Sequence, residues 1–344
     1  MGWIRLLLIG SVLVQASPKS VAPDVGPSAV LVNNELELRA AAARSARQDL
    51  NVLVGRRITI RRGITFPESR NIVRLIGITE QAEIHINMVF SGNYSDPRFR
   101  AENGLTFNCR QAHIRGLAFS GFDWDGAAIK SNCSELFDIS RCEFRDIGTR
   151  RFAPRVPKPR RAEDTLYNQC IEAHEMRSGH ISVTNNRFQR CAWSQPWSHC
   201  VYVDGRSVVV ADNVFTDCGA ALRVGGRGQE RFAVVVWGNR IERPHPVPDP
   251  KGAAGMIQPY ICDPGENYST VFAFNAIEGA FSTPWTGAPR PERHFIDFND
   301  YKELRLTVQT WAADTKVGRW ISWDQWRSMG FDVNSRVAEP PAQK

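Results

Sequence analysis

After residue 16 the chain has no apolar run long enough to cross a bilayer, which takes about 20 residues. It has no GxxxxGK[ST] phosphate loop, no GxSxG elbow and no GxGxxG dinucleotide fingerprint. That removes the usual sequence grounds for an NTPase, an α/β-hydrolase or a nicotinamide enzyme. The eight cysteines include no CxxC pair, and no His-Cys cluster has metal-ligand spacing. Acid is in the minority: 36 Asp and Glu stand against 43 Lys and Arg, a formal net charge of +7. That balance suits an anionic partner without naming one. No nucleic-acid recognition motif accompanies it, so no nucleic acid is expected.

What is present supports a real core, since 42% of the 344 residues are hydrophobic and 23% charged. The N-terminus, MGWIRLLLIGSVLVQAS, places one Arg before a short apolar run that ends in small residues. It reads as a secretory signal peptide over 1–16, cut after Ala16. The mature chain is then expected to be secreted or periplasmic, monomeric and without a membrane span. Residues 17–34 carry Pro and Ser and read as a mobile leader.

The main signal is internal repetition. FDISRCEF (137–144), ISVTNNRF (181–188), VVVADNVF (208–215), VVVWGNRI (234–241) and TVFAFNAI (270–277) share a pattern, with HIRGLAF (113–119) a weaker copy. Their last residues, Phe119, Phe144, Phe188, Phe215, Ile241 and Ile277, are 25, 44, 27, 26 and 36 apart. A period near 25 with insertions marks a stacked solenoid coil. Asn186, Asn213, Asn239 and Asn275 each sit two residues before the final apolar residue. Such an Asn can adopt a left-handed conformation and hydrogen-bond to its stacked neighbours.

A second recurring strand lies between these copies: AAIKS (127–131), CIEAH (170–174), CVYVD (200–204), ALRVG (221–225) and MIQPY (256–260). Ile129, Ile171, Val201, Leu222 and Ile257 align as the buried residue, so Lys130, Glu172, Tyr202, Arg223 and Gln258 form an outward row about 4.8 Å apart per coil. Within HCVYVDG (199–205), strict alternation puts Cys200, Tyr202 and Asp204 on one face and Val201 and Val203 on the other. Cysteines repeat in the same register: Cys109 and Cys133 follow Asn, Cys170 and Cys200 precede the buried aliphatic, and Cys191 and Cys218 lie three after the final Phe. They are either bridged between coils or free thiols packed as small hydrophobes.

These repeats resemble the right-handed parallel β-helix proteins of the pectate-lyase-like superfamily. The resemblance covers residues 35–335. ELELRAAAARSARQDL (35–50) is similar to the helix that caps the first coil, followed by a first strand NVLVGRRITI. SWDQWRSMGFDVNS (322–335) is similar to the closing tail of many members, and 336–344 is left as a tail. The expected fold class is all-β, a right-handed parallel β-helix with an N-terminal capping helix.

The basic, proline-bearing stretch TRRFAPRVPKPRR (149–161) reads as a loop leaving the solenoid beside the row, and RPHPVPDPKGAAG (243–255) as a second insertion. Trp193, Trp197 and Trp285 lie in loops near this face and either stack on sugar rings or pack inward. The resemblance implies chemistry on a uronate polysaccharide. Abstracting the C5 proton needs a base, a cation for the carboxylate, and an acid near the glycosidic oxygen. His199 is the candidate base, Arg223 the cation and Tyr202 lies between them in register. Lys130, Glu172, His174, Asp204, Gln258 and Tyr260 are candidate substrate contacts. Glu172 and Asp204 orient the histidine or hold a calcium ion; otherwise no cofactor or metal is assigned. The reaction is then β-elimination or C5 epimerisation. Two alternatives stay open. One is a glycoside hydrolase using Glu172 and Asp204 as its carboxylate pair, with Asp125 near. The other is a non-catalytic glycan-binding or envelope solenoid.

Overall fold

The computed structural model describes residues 28–88, 102–122, 126–149, 168–193, 198–224, 232–245, 268–278, 285–286, 292–302, 308–311 and 318–338. The chain winds as a right-handed parallel β-helix, the hand that parallel crossovers take almost without exception. One coil reads Gly126–Ser131, Leu136–Ser140 and Glu143–Ile147, one strand on each of three faces. Face 1 stacks Ile64–Phe66, Leu105–Phe107, Gly126–Ser131, the opening residues of Asn168–Thr184 and of His199–Ala211, and Ala220–Val224. Face 2 runs from Ala29–Val32 through Gln111–Arg115 and Leu136–Ser140 to His294–Asp297. Face 3 runs from Arg57–Ile60 to Arg336–Val337. Two long strands pass through faces 1 and 2 and join them in one sheet of 14 strands. A separate three-stranded sheet holds the antiparallel pair Val308–Trp311 and Gly318–Ile321.

The repeat is confirmed rung by rung. Phe119, Phe144, Phe188, Phe215, Ile241 and Ile277 are direct partners in face 3. The four phenyl rings stack at 5.1, 4.8 and 4.7 Å between centroids and are fully or almost fully buried. Each such pair adds about 0.5–1.5 kcal/mol beyond the area it buries. The column extends past the sequence repeat, to Ile84 and Ile58 at one end and Tyr301 at the other.

The turn from face 2 to face 3 needs one correction. The left-handed residue precedes the ladder asparagine: Asn185 (φ 56), Asp212 (φ 56), Gly238 (φ 63), Phe274 (φ 58) and Phe298 (φ 58). The ladder asparagine itself turns inward. Asn186, Asn213, Asn239 and Asn275 each donate backbone N–H and Nδ2 to the Oδ1 of the next member, at 3.0–3.1 Å, ending at Asn299. Nδ2 also reaches a backbone carbonyl of the previous coil, as Asn213 does to Val183 at 2.8 Å. Buried turns thus lose no hydrogen bonds.

Three boundaries shift. Residues 29–32 of the expected leader form a strand paired with Leu50–Val54. The stretch read as one first strand is two, Leu50–Val54 and Arg57–Ile60, on different faces. Residues 336–337 of the expected tail pair with Asp300–Lys302. A helix, α1 (Glu35–Arg44), starts at Asn34, whose side chain accepts from Glu37 N–H at 2.9 Å, and buries Leu38, Ala41 and Ala42. A second helix, α2 (Trp323–Ser328), begins on a capping box from Ser322 to Gln325. The seven described cysteines are free and buried. Cys109 and Cys133 stand 3.7 Å apart, sulfur to sulfur.

Candidate functional site

Face 1 carries the site. Its register pairs Lys130 with Glu172, Glu172 with Tyr202, and Tyr202 with Arg223. The row extends backward through Thr106 and Thr65, which the sequence reading missed; the signal was the matching alternation in ITF and LTF. From Lys130 to Arg223 the row covers three rung steps, about 14 Å. Beneath it lie Ile129, Ile171, Val201 and Leu222, all buried. The β-branched and aliphatic inner column sets the register, and the register sets the row.

Within the row, the Lys130 ammonium donates to Glu172 Oε1 at 3.0 Å. Glu172 is only 8% exposed, so removing Lys130 would leave a nearly buried carboxylate without this cation. Arg223 lays its guanidinium over the Tyr202 ring, 4.7 Å from the centroid, a cation–π contact that holds both side chains together. His199 is fully buried, with its ring centroid 6.2 Å from that of Tyr202. It sits against the row and does not open onto it. Asp204 is 9% exposed, two residues past Tyr202 on the same strand.

Strict alternation fails at Cys200, which is fully buried beside Val201. The cause is the corner into face 1. There Ala128 and Ile129, Cys170 and Ile171, Cys200 and Val201, and Ala221 and Leu222 all enter the core as consecutive pairs. Cys200 meets Cys170, Cys191 and Cys218, and burial pushes the thiols of Cys170, Cys200 and Cys218 well up. All four are buried and pack as small hydrophobic groups. Trp193 packs on the protein: its Nε1 donates to the Asp217 carbonyl at 2.6 Å and its ring stacks on His245 at 4.1 Å. His174 lies in a described strand, Asn168–Thr184. Gln258, Tyr260, Asp125, Trp197 and most of both insertions lie outside the described residues. Among the described residues, no three His, Cys, Asp or Glu side chains gather as a metal site. No helix among them is long and apolar enough to cross a membrane.

No protein-family model matches the chain, and no curated protein does. Among solved structures it is similar to a PL6 family alginate lyase, AlyGC, with a TM-score of 0.52 and 12% identity. The likeness covers 94% of this chain and 42% of that one, so this chain spans less than half of its neighbour's length. At that identity the likeness speaks for the fold alone. Taken with the register of the three faces, it shows that the chain has a right-handed parallel β-helix fold.

Proposed function

We propose that the chain is an exported enzyme that acts on an anionic, uronate-containing polysaccharide at the face 1 row, by β-elimination or C5 epimerisation. The observation that carries this reading is the unbroken row Lys130, Glu172, Tyr202, Arg223, in which Tyr202 stands between Glu172 and Arg223 on successive rungs and Lys130 lies one rung beyond Glu172. A uronate polymer laid along face 1 meets Arg223 with its carboxylate, which a guanidinium takes as a bidentate partner. Offsetting that charge favours loss of the C5 proton. Tyr202, beside Arg223, exchanges the proton. In elimination, the C5–H electron pair forms the C4=C5 bond, the C4–O bond breaks, and the leaving oxygen takes a proton. In epimerisation, C5 regains a proton on its other face.

His199, expected above as the base, is fully buried with its ring centroid 6.2 Å from that of Tyr202, and this scheme gives the proton transfer at the polymer to Tyr202. The hydrolase reading is less well supported, since Glu172 is already held by Lys130. The same ion pair makes Glu172 a poor calcium ligand, and no step needs a metal. The test is incubation with alginate, pectate, glycosaminoglycans and bacterial exopolysaccharides. Elimination gives unsaturated ends that absorb in the ultraviolet. Epimerisation changes uronate composition at constant chain length. Reducing ends without absorbance would favour the hydrolase, and binding without any product the non-catalytic solenoid.

A further inference from the structure

Face 3 carries a polar cavity of about 310 Å³, lined by Arg57, Glu83, His85, Ser120, Arg145 and Arg190, among others. It is built by register. His85, Ser120 and Arg145 are direct partners on three successive rungs, with Arg57 and Glu83 paired two residues before that column. Its size falls at the low end of ligand pockets, about 300–1,000 Å³, which suits one small acid better than a polymer.

The hydrogen bonds show which nitrogen of His85 donates. Ser120 Oγ donates to Glu83 Oε1 at 2.5 Å, which uses its only proton. The 2.9 Å contact between His85 Nδ1 and Ser120 Oγ is therefore donated by the imidazole. In a neutral ring Nε2 is then an acceptor. Burial and then the Arg57 guanidinium hold the His85 pKa below its ordinary value, which agrees with a neutral ring. Gly121, at φ +80, lies under the ring, where a Cβ would come within 2.5 Å of Cε1.

Two of the arginines are loosely held. Arg57 Nε is 3.8 Å from Glu83, and Arg145 Nε is 3.6 Å from Glu143, beyond hydrogen-bond length. Arg145 Nε is also buried without a hydrogen-bond partner. Arg190 is different, since Asp146 holds it at 2.6 and 2.9 Å. The cavity thus offers two guanidiniums for an anion and one fixed acceptor that calls for a hydroxyl donor. We propose that it is a binding site for a hydroxylated carboxylate, a single acidic sugar unit, with the carboxylate on Arg57 and Arg145 and a hydroxyl donating to His85 Nε2. This site is on a different face from the row and does not depend on the reading of the row.

The test is a titration of the full chain with D-galacturonate, D-glucuronate and D-mannuronate. It is followed by NMR of the His85 imidazole, assigned with His85→Gln, and by calorimetry. Glucose tests the carboxylate requirement; acetate and sulfate test the hydroxyl requirement. At least one uronate is expected to shift the His85 signals and to bind at least about tenfold more tightly than acetate or glucose. Arg145→Gln is expected to weaken that uronate about tenfold or more. Tyr202→Phe, on face 1, leaves it unchanged. Arg145→Lys is the second variant, and circular dichroism checks that each variant is folded. Failure of every uronate to shift His85 would overturn the proposal. So would equal binding of acetate or sulfate, which means an adventitious ion only, or full affinity in folded Arg145→Gln.

Discussion

Asn213 shows how much one residue does in a stacked coil. It donates Nδ2 to the Val183 carbonyl and to Asn239 Oδ1, and its own Oδ1 accepts the backbone N–H and Nδ2 of Asn186. Asn213→Ala removes these bonds and leaves the Asn186 backbone N–H buried and unpaired. The expected loss is about 2–4 kcal/mol, read as a lower urea midpoint with an unchanged m-value. Asn213→Ser, which keeps an oxygen, should lose less. Cysteines give a second expectation at this scale. Burial pushes the Cys142 thiol up to about 12 and those of Cys170, Cys200 and Cys218 well up. Alkylation of the native chain at mildly alkaline pH should leave these thiols unmodified, and unfolding should expose them.

The closing segment is the element in which the sequence resemblance and the structure meet. Asp332 is fully buried and ends the asparagine ladder. It accepts from Asn299 Nδ2, Tyr301 OH, Trp326 Nε1 and Ser335 Oγ at 2.6–3.1 Å. Asp332→Ala strands those donors in the core and should cost about 3–5 kcal/mol. Burial raises the Asp332 pKa from 3.8 despite these donors. A carboxyl raised on folding contributes stability that is full below 3.8 and is lost as pH rises through the folded value. The stability advantage of wild type over Asp332→Asn should therefore shrink as pH rises through that window. This segment was legible as a closing tail, but its carboxylate was not, because a lone Asp between Phe331 and Val333 carries no periodic signal. Thr65 and Thr106 did carry a signal, the short alternations ITF and LTF, but three residues are too few to stand out, and the face 3 cavity was hidden for want of a repeat. Its residues, Arg57, His85 and Ser120, lie in coils whose copies of the repeat are weak or absent. The faces and the row were legible because Phe144, Phe188 and Phe215, and Ile129, Ile171, Val201 and Leu222, recur at coil spacing. What misled was the corner: alternation carried back to Cys200 places it outside, whereas the bend there turns two residues inward.

At the scale of the molecule, the +7 charge and the row act together. Long-range attraction of a polyanion is screened within about 8 Å at physiological salt, so its capture should weaken as salt rises, while turnover of bound polymer should change less. The central claim is that on face 1 Tyr202 transfers the C5 proton of a uronate polymer while Arg223 offsets its carboxylate charge. The most direct measurement is the rate of product formation on the best polymer from the panel, for wild type, Tyr202→Phe and Arg223→Lys, each checked for fold. The account predicts that Tyr202→Phe lowers the rate about 10²–10⁴-fold and that Arg223→Lys loses most of it, since an ammonium does not replace the bidentate fork. Near-wild-type rates in both folded variants would contradict it.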